Sequence, residues 1–295
     1  MDYRDEVFLS VAENLSFTKA AEELFISQPA VTKHIKELEN KLQTTLFERK
    51  GNRVYLTRAG KTVYQHLKEI KKRYREMEFQ LGQLNNTLTG TLRLGASSTI
   101  SQYVIPTVIA AFYKRYPDIN IYLYNGNSFE MEQKLLNDEI DMALVENASS
   151  HSNLKYVEFL PDEIVAVAGT NSPAARKNQI AINDLKEIPL VVREKGSGTL
   201  EVINRELTKH KLSPDSMNIV MHLGSTESIK NFLTEFDGVA LVSEKSINKE
   251  LELKKLKRIT IKGFSINRYF RMAFRHGHTA HLLEIFSDFL LNYNF

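Results

Sequence analysis

The chain has 295 residues, of which 42% are hydrophobic and 25% charged, with 39 Lys and Arg against 36 Asp and Glu. That length supports one small and one medium domain, each with its own core. There is no cysteine, which excludes disulfides and thiolate metal sites and fits a reducing compartment. No apolar run is long enough to span a bilayer, and the first residues lead straight into charged, amphipathic sequence with no signal-peptide pattern. The expectation is a cytoplasmic protein without a membrane partner.

Residues 2–14 predict a helix with Val7, Phe8, Val11 and Ala12 on one face and Leu15 closing it. Residues 16–38, SFTKAAEELFISQPAVTKHIKEL, divide into two short helices around a tight turn. Ser16 is placed to cap the first, and Ala20, Ala21 and Leu24 line its apolar face. Phe25 and Ile26 read as an apolar turn that plugs between the helices. Ser27 caps the second helix, with Pro29 in its first turn, where a missing N–H costs nothing. Val31, Ile35 and Leu38 then point inward. Gln28, Thr32, Lys33 and Lys36 are left on the opposite face, suited to base edges and phosphates. This is a helix-turn-helix pattern, whose bland alternative is an ordinary pair of packed amphipathic helices.

Residues 46–57, LFERKGNRVYLT, read as a short hairpin with a basic tip around Gly51-Asn52. Beside a recognition helix such a hairpin is a wing, and Arg53 is placed to enter a minor groove. From Arg49 to Arg75 there are ten Lys or Arg and one acid, Glu69. That local excess is the footprint of phosphate binding, although a solvated basic helix face is the commoner cause. Val63, Leu67, Ile70, Tyr74, Met77, Leu81, Leu84 and Leu88 follow alternating spacings of four and three, an a/d seam of almost four heptads. A lone helix would leave that stripe in water, so the seam predicts a linker helix that pairs two chains and ends before Gly90.

The remainder alternates strands and helices, which argues for an α/β sheet of parallel strands. Strands are predicted at 91–96, 120–124, 141–145, 164–168, 190–192, 219–223, 238–242 and 269–275. Helices are predicted at 100–116, 129–136, 182–185, 200–210, 226–235 and 278–292. The expected domains are 1–57, a winged helix-turn-helix; 58–89, the linker; and 90–295, two lobes of about 90–162 with 264–295 and about 163–263. A cleft between lobes is the usual seat of a small ligand, beyond strand ends and near helix N-termini. Ser97-Ser98-Thr99, Gly196-Ser197-Gly198-Thr199 and Ser225-Thr226 stand at such places, and hydroxyl-flanked helix starts hold anions well. Each alone is most simply an N-cap; two facing one another across a cleft point to a ligand.

Phe8, Val11-Ala12, Ser16-Phe17-Thr18, Ala20-Ala21, Leu24, residues 27–32 (SQPAVT), Ile35, Leu38-Glu39, Leu42, Leu46-Phe47, Arg49, Arg53 and residues 56–60 (LTRAG) together resemble the N-terminal signature of LysR-type transcriptional regulators. The likeness continues in the layout of the whole chain. It implies a winged helix-turn-helix, a linker helix and a C-terminal domain shaped like a periplasmic binding protein. It also implies a homodimer through the linker, assembled into a homotetramer, with double-stranded DNA and a small effector as partners and RNA polymerase as a further candidate. In that frame Ser27, Gln28, Pro29, Thr32 and Lys33 meet the major groove, Arg53 the minor groove, and Thr18 and Arg49 the phosphates. GASSTI at 95–100, LVE at 144–146 and REKGSGT at 193–199 are similar to the branch that senses small sulfur or carboxylate anions. By position Ser97, Thr99 and Thr199 would hold the anion, with Ser98, Ser197 and Thr226 lining the cleft. Glu146 stands where some relatives carry a hydroxyl, and a carboxylate repels an anion. It could accept a proton from a hydrogen-bearing anion, pair with Lys195, or bind a cationic group.

Other chemistry finds little footing. His276, His278 and His281 lack the spaced partners a zinc site needs. GSGT has no Lys-Ser/Thr to make a phosphate loop, and no Gly-x-Ser-x-Gly elbow is present. The expectation is a regulator without cofactor, metal or enzymatic activity. The alternative is a small-molecule binding protein or enzyme with an accessory DNA-binding domain.

Overall fold

A computed structural model of the protein describes residues 2–51, 53–84, 89–177, 179–276 and 281–295. It divides into two compact units, Met1–Thr87 and Leu88–Phe295.

The first unit starts with three helices, α1 (Tyr3–Asn14), α2 (Phe17–Glu23) and α3 (Gln28–Leu42). Side chains cap all three: Asp2 accepts from Arg4 N, Ser16 from Lys19 N and Ser27 from Ala30 N. Each removes one orphan donor of the opening turn, an effect of about 1 kcal/mol. The helices close around Val7, Phe8, Val11, Ala20, Ala21, Val31, Ile35 and Leu38. Full burial of each larger side chain contributes about 1.5–3 kcal/mol. Two residues depart from expectation. The turn between α2 and α3 needs a left-handed residue, which is Phe25 at φ 53°, and that conformation throws its ring outward, 96% exposed. Only Ile26 packs on the core. Leu15 is likewise the left-handed cap of α1 and exposed.

Strands β1 (Phe47–Lys50) and β2 (Arg53–Leu56) pair antiparallel with Lys50 opposite Arg53; Asn52 lies outside the described residues. The unit ends in α4 (Arg58–Leu84). Thr57 tethers its start, donating its N–H to Leu46 O at 3.0 Å and accepting from Gly60 N at 2.9 Å. Gly60 is fixed by this approach, since a Cβ there would lie 2.1 Å from Leu46 O. The heptad seam is split in use. Val63 and Leu67 pack on the unit's own core, whereas Ile70, Tyr74 and Met77 are exposed. The side chains of Leu81 and Leu84, and the whole of Leu88, lie outside the described residues.

The second unit begins with β3 (Gly90–Ser97), α5 (Ser98–Tyr103), α6 (Ile105–Arg115), β4 (Ile119–Gly126), α7 (Ser128–Leu136), β5 (Met142–Val145) and β6 (Leu154–Gly169). Then come α8 (Pro173–Arg176), β7 (Gln179–Ala181), β8 (Leu190–Arg193), α9 (Gly198–Lys209), β9 (Ile219–Leu223), α10 (Thr226–Leu233) and β10 (Val239–Ser243). The chain closes with α11 (Asn248–Glu252), β11 (Leu256–Lys262), β12 (Ile266–Arg275) and α12 (His281–Leu291). The single helix expected over 100–116 is two, broken at Val104, because Pro106 has no N–H to continue the ladder. The segment 182–185 is a 3₁₀ turn rather than an α-helix. His278 lies outside the described residues.

The strands follow the order β4-β3-β5-β12-β6-β10-β8-β9. β3 runs parallel to β4 and β5, and β8 parallel to β9 and β10, as alternation predicts. The sheet is not parallel throughout, because β6 and β12 pass between the lobes in opposite directions and pair antiparallel. Residues 154–162, where no strand is predicted, form the first part of β6 with Pro161 among them. Pro161 lies opposite Tyr269, and the register slips by one residue between Phe270 and Arg271. Apolar clusters cover the sheet of the second lobe on both faces, and a further cluster lies in the first lobe. The polar centre falls where β6 and β12 cross.

Candidate DNA-binding surface and effector cleft

In the first unit most of the expected contact residues are exposed. Ser27, Pro29 and Lys33 are exposed at the start of α3, Thr18 on α2, and Arg49 and Arg53 on the hairpin. Arg49 lies over the Phe17 ring at 5.8 Å, which holds the hairpin's guanidinium against α2. No acidic residue occupies the first turn of α2 or α3, so their free N–H groups keep their positive field. Gln28 and Thr32 are half-buried and bonded to each other, Gln28 Nε2 donating to Thr32 Oγ1 at 3.0 Å and Thr32 Oγ1 donating to Gln28 O at 3.1 Å. Base contacts by this pair would exchange those local bonds for bonds to DNA.

In the second unit the hydroxyls expected to face the cleft converge on one residue. Glu146, at the end of β5, is 1% exposed. Ser97 Oγ donates to its Oε2, while Thr99 Oγ1 and Thr199 Oγ1 donate to Oε1 at 3.3 and 2.9 Å. Ser97 and Thr99 come from the first lobe and Thr199 from the second, so one carboxylate ties the lobes together. Its cation is Arg268, at 3.8 Å, and not Lys195, which is exposed. Arg268 also donates from Nη1 to Thr199 Oγ1 at 3.0 Å and from Nε to Asp162 Oδ2 at 2.8 Å. Ser243 Oγ donates to the other Asp162 oxygen at 2.6 Å. Burial pushes the Asp162 carboxyl above its ordinary range, against the pull of Arg268 and Ser243.

The lobes approach closely around this centre. A Cβ on Gly198 would lie 2.5 Å from Asn147 N and 2.6 Å from Ser128 Oγ. Phe129 N donates to Gly196 O at 3.2 Å, and Ser149 N to Glu201 Oε1 at 2.6 Å. Ser197 is spent as the cap of α9. Ser98 is buried, and its hydroxyl has no partner among the described residues.

Thr226 belongs to a second cluster. Its hydroxyl accepts from Nη1 of Arg193, which is 2% exposed and paired through Nε and Nη2 with Glu194. Nearby, Tyr103 of the first lobe donates to Glu227 of the second. Lys230 is held by Ser246 O, Glu250 and Glu227 at 2.8–2.9 Å, with its ammonium 4.8 Å from the Tyr103 ring centre. Burial works against the Glu227 carboxylate, but hydrogen bonds from Lys230 and Tyr103 outweigh it and hold the group below its ordinary range. Burial together with the Glu227 bond raises the Tyr103 hydroxyl well above its ordinary value.

Sequence reading placed Ser97, Thr99, Glu146 and Thr199 together but missed Arg268, Asp162, Arg193 and Tyr103. A signal existed for Arg268: Ile266, Arg268, Phe270 and Met272 alternate inward along β12, so a charge stands in an apolar row.

Residues 5–61 match the bacterial regulatory helix-turn-helix family of LysR type, and residues 85–294 match the LysR substrate binding domain. The chain belongs to the LysR family. It is a LysR-type DNA-binding transcriptional regulator with an effector-binding domain. It is 32% identical over 263 residues to the HTH-type transcriptional regulator CysL of Bacillus subtilis, covering 89% of this chain and 87% of that one. The regulatory domain of Synechocystis PCC6803 CcmR, solved in complex with 2-PG, aligns with a TM-score of 0.62 and 28% identity, over 68% of this chain and 95% of that one. Full-length CbnR, solved in complex with its target DNA, shares the fold at a TM-score of 0.67 and 17% identity, over 98% of this chain and 99% of that one.

Proposed function

We propose that this regulator reads its operator with α3 and the hairpin, and that a small effector bound between the lobes changes how two chains are arranged on DNA. Gln28, Thr32 and Lys33 take base edges or phosphates in the major groove, Pro29 makes an apolar contact, and Ser27 lies at the groove's edge. Thr18 and Arg49 hold phosphates, and Arg53 enters the minor groove. The exposed cations of Arg49 and Arg53, together with a start of α3 free of acids, support this reading. The unburied stripe of Ile70, Tyr74 and Met77 supports pairing of two chains through α4, as a step to a tetramer. Met77→Asp is expected to break that pairing, which sedimentation velocity reads directly.

The effector seat is the centre built by Ser97, Ser98, Thr99, Glu146, Ser197 and Thr199, with Thr226 at its second cluster. The carrying observation is that hydroxyls from both lobes meet on the Glu146 carboxylate. The effector is a small anion, and its charged group takes over hydroxyls that Glu146 now holds. It shifts the arrangement only by binding one form better than another. The relatives carry regulatory names, and the role proposed for this chain is binding without turnover, in the cytoplasm, with RNA polymerase as a downstream partner. The test is operator binding by gel shift across a salt series, with and without small anions. Salt-sensitive, sequence-selective binding modulated by an anion, with the modulation lost in Thr99→Ala/Thr199→Ala, supports the proposal. An unchanged anion response in that double variant removes the hydroxyl seat.

A further inference from the structure

Two charged groups at the centre of the cleft differ in how completely they are bonded. Glu146 accepts three hydroxyls over its two oxygens. Arg268 is 6% exposed, and its five N–H donors need acceptors. Nε is taken by Asp162 and Nη1 by Thr199, with Glu146 at 3.8 Å, but the buried Nη2 has no acceptor among the described residues. A charged donor removed from water without an acceptor is among the costliest of buried groups. The centre therefore calls for an acceptor, and the bonds on Nε and Nη1 already fix the direction in which Nη2 presents its protons.

We propose that Arg268 Nη2 is the anchor for an oxygen of the effector, whether carboxylate, phosphoryl or sulfonyl. This rests on the reading of the cleft as the effector seat. The position of Arg268 gives the anchor a second consequence. It stands on β12 directly opposite Asp162 on β6, where the two strands that connect the lobes pair. Thr199, which shares the guanidinium, opens α9 in the second lobe, and Glu146 directly follows β5 in the first. An oxygen on Nη2 completes a guanidinium that touches both lobes and their crossing strands, so it favours the arrangement in which all four partners are in reach. The anchor thus couples occupancy to the angle between lobes.

The experiment is isothermal titration and thermal melting of the full chain with acetate, phosphate and sulfate at constant ionic strength. Wild type is compared with Arg268→Lys, which keeps a cation beside Asp162 but has no planar fork. Asp162→Asn/Arg268→Met serves as a second variant that removes both members of the cross-strand pair, and circular dichroism checks each fold. The expected result is saturable binding of at least one of the three anions by wild type, weakened tenfold or more in both variants. Wild-type affinity retained in either folded variant overturns the anchor, as does the absence of a saturable wild-type response to all three. Binding lost in Thr99→Ala/Thr199→Ala but kept in Arg268→Lys overturns the anchor and leaves the cleft standing. Binding kept in every variant overturns both.

Discussion

The two units carry their polar groups in opposite states. On the first unit, Lys33, Arg49 and Arg53 are exposed, and the half-buried Gln28 and Thr32 are bonded to one another. In the second, Glu146, Arg268, Asp162, Arg193 and Lys230 are all buried and held by neighbours on other elements. A surface kept in water can engage a long polyanion with little rearrangement, and its affinity is dominated by counterion release. A buried network gains a ligand only by exchanging bonds it already has. It is therefore selective, and it moves when it is engaged. Among the described residues, Arg268 Nη2 is a buried charged donor with no acceptor, so an acceptor there breaks no existing bond of that nitrogen.

The sharpest break of this contrast is Glu146→Ala. It strands three hydroxyls and half the charge balance of Arg268, and should cost on the order of 3 kcal/mol. Calorimetry should show that loss in the transition of the second unit, with operator affinity at saturating stability unchanged. Next is Gln28→Ala, which should reduce discrimination between operator and mutated operator by about 1–3 kcal/mol if the contact is bidentate, measured by competition binding. Arg53→Ala should weaken all DNA sequences alike, lower the salt slope by about 1, and move the melting temperature little, because the residue is exposed. Retained affinity at physiological salt would remove the hairpin from the interface. Tyr103→Phe keeps the ring beside Lys230 but deletes the bond to Glu227, and should cost about 1.5 kcal/mol of stability. The chain has no cysteine, so a pair of spin labels on engineered cysteines, one per lobe, would report the accompanying opening. The smallest effect is one of pH. Because burial raises Asp162, the folded protein holds that proton more tightly than the unfolded chain. The stabilisation from the protonated form is complete below the ordinary carboxylate range and fades as pH rises through the raised value. Asp162→Asn should flatten that part of the stability profile, read from melts between acid and neutral pH.

Local chemistry made much of the chain readable. Ser16, Ser27 and Pro29 mark helix starts by hydrogen bonding and ring geometry that need no distant partner. The strand at 219–223 and the helix at 129–136 stand where they are predicted, the helix capped by Asn127. Where reading failed, a distant partner decided. Phe25 looks like a plug by composition, yet the angle between α2 and α3 demands a left-handed residue there and turns the ring to solvent. Residues 154–162 form half of a strand despite Pro161 because β12, a hundred residues on, supplies the pairing.

The sequence alone determined the helix-turn-helix, the basic hairpin, the alternating second unit and the set of hydroxyls at helix starts, since each rests on periodicity or capping within a few residues. Tertiary structure alone decided that those hydroxyls are held by Glu146, that Arg268 rather than Lys195 is its cation, and that Thr226 turns to Arg193 instead. Charge pairing inside a protein depends on which side chains share a dry space, and only the crossing of β6 and β12 brings Asp162 and Arg268 into one.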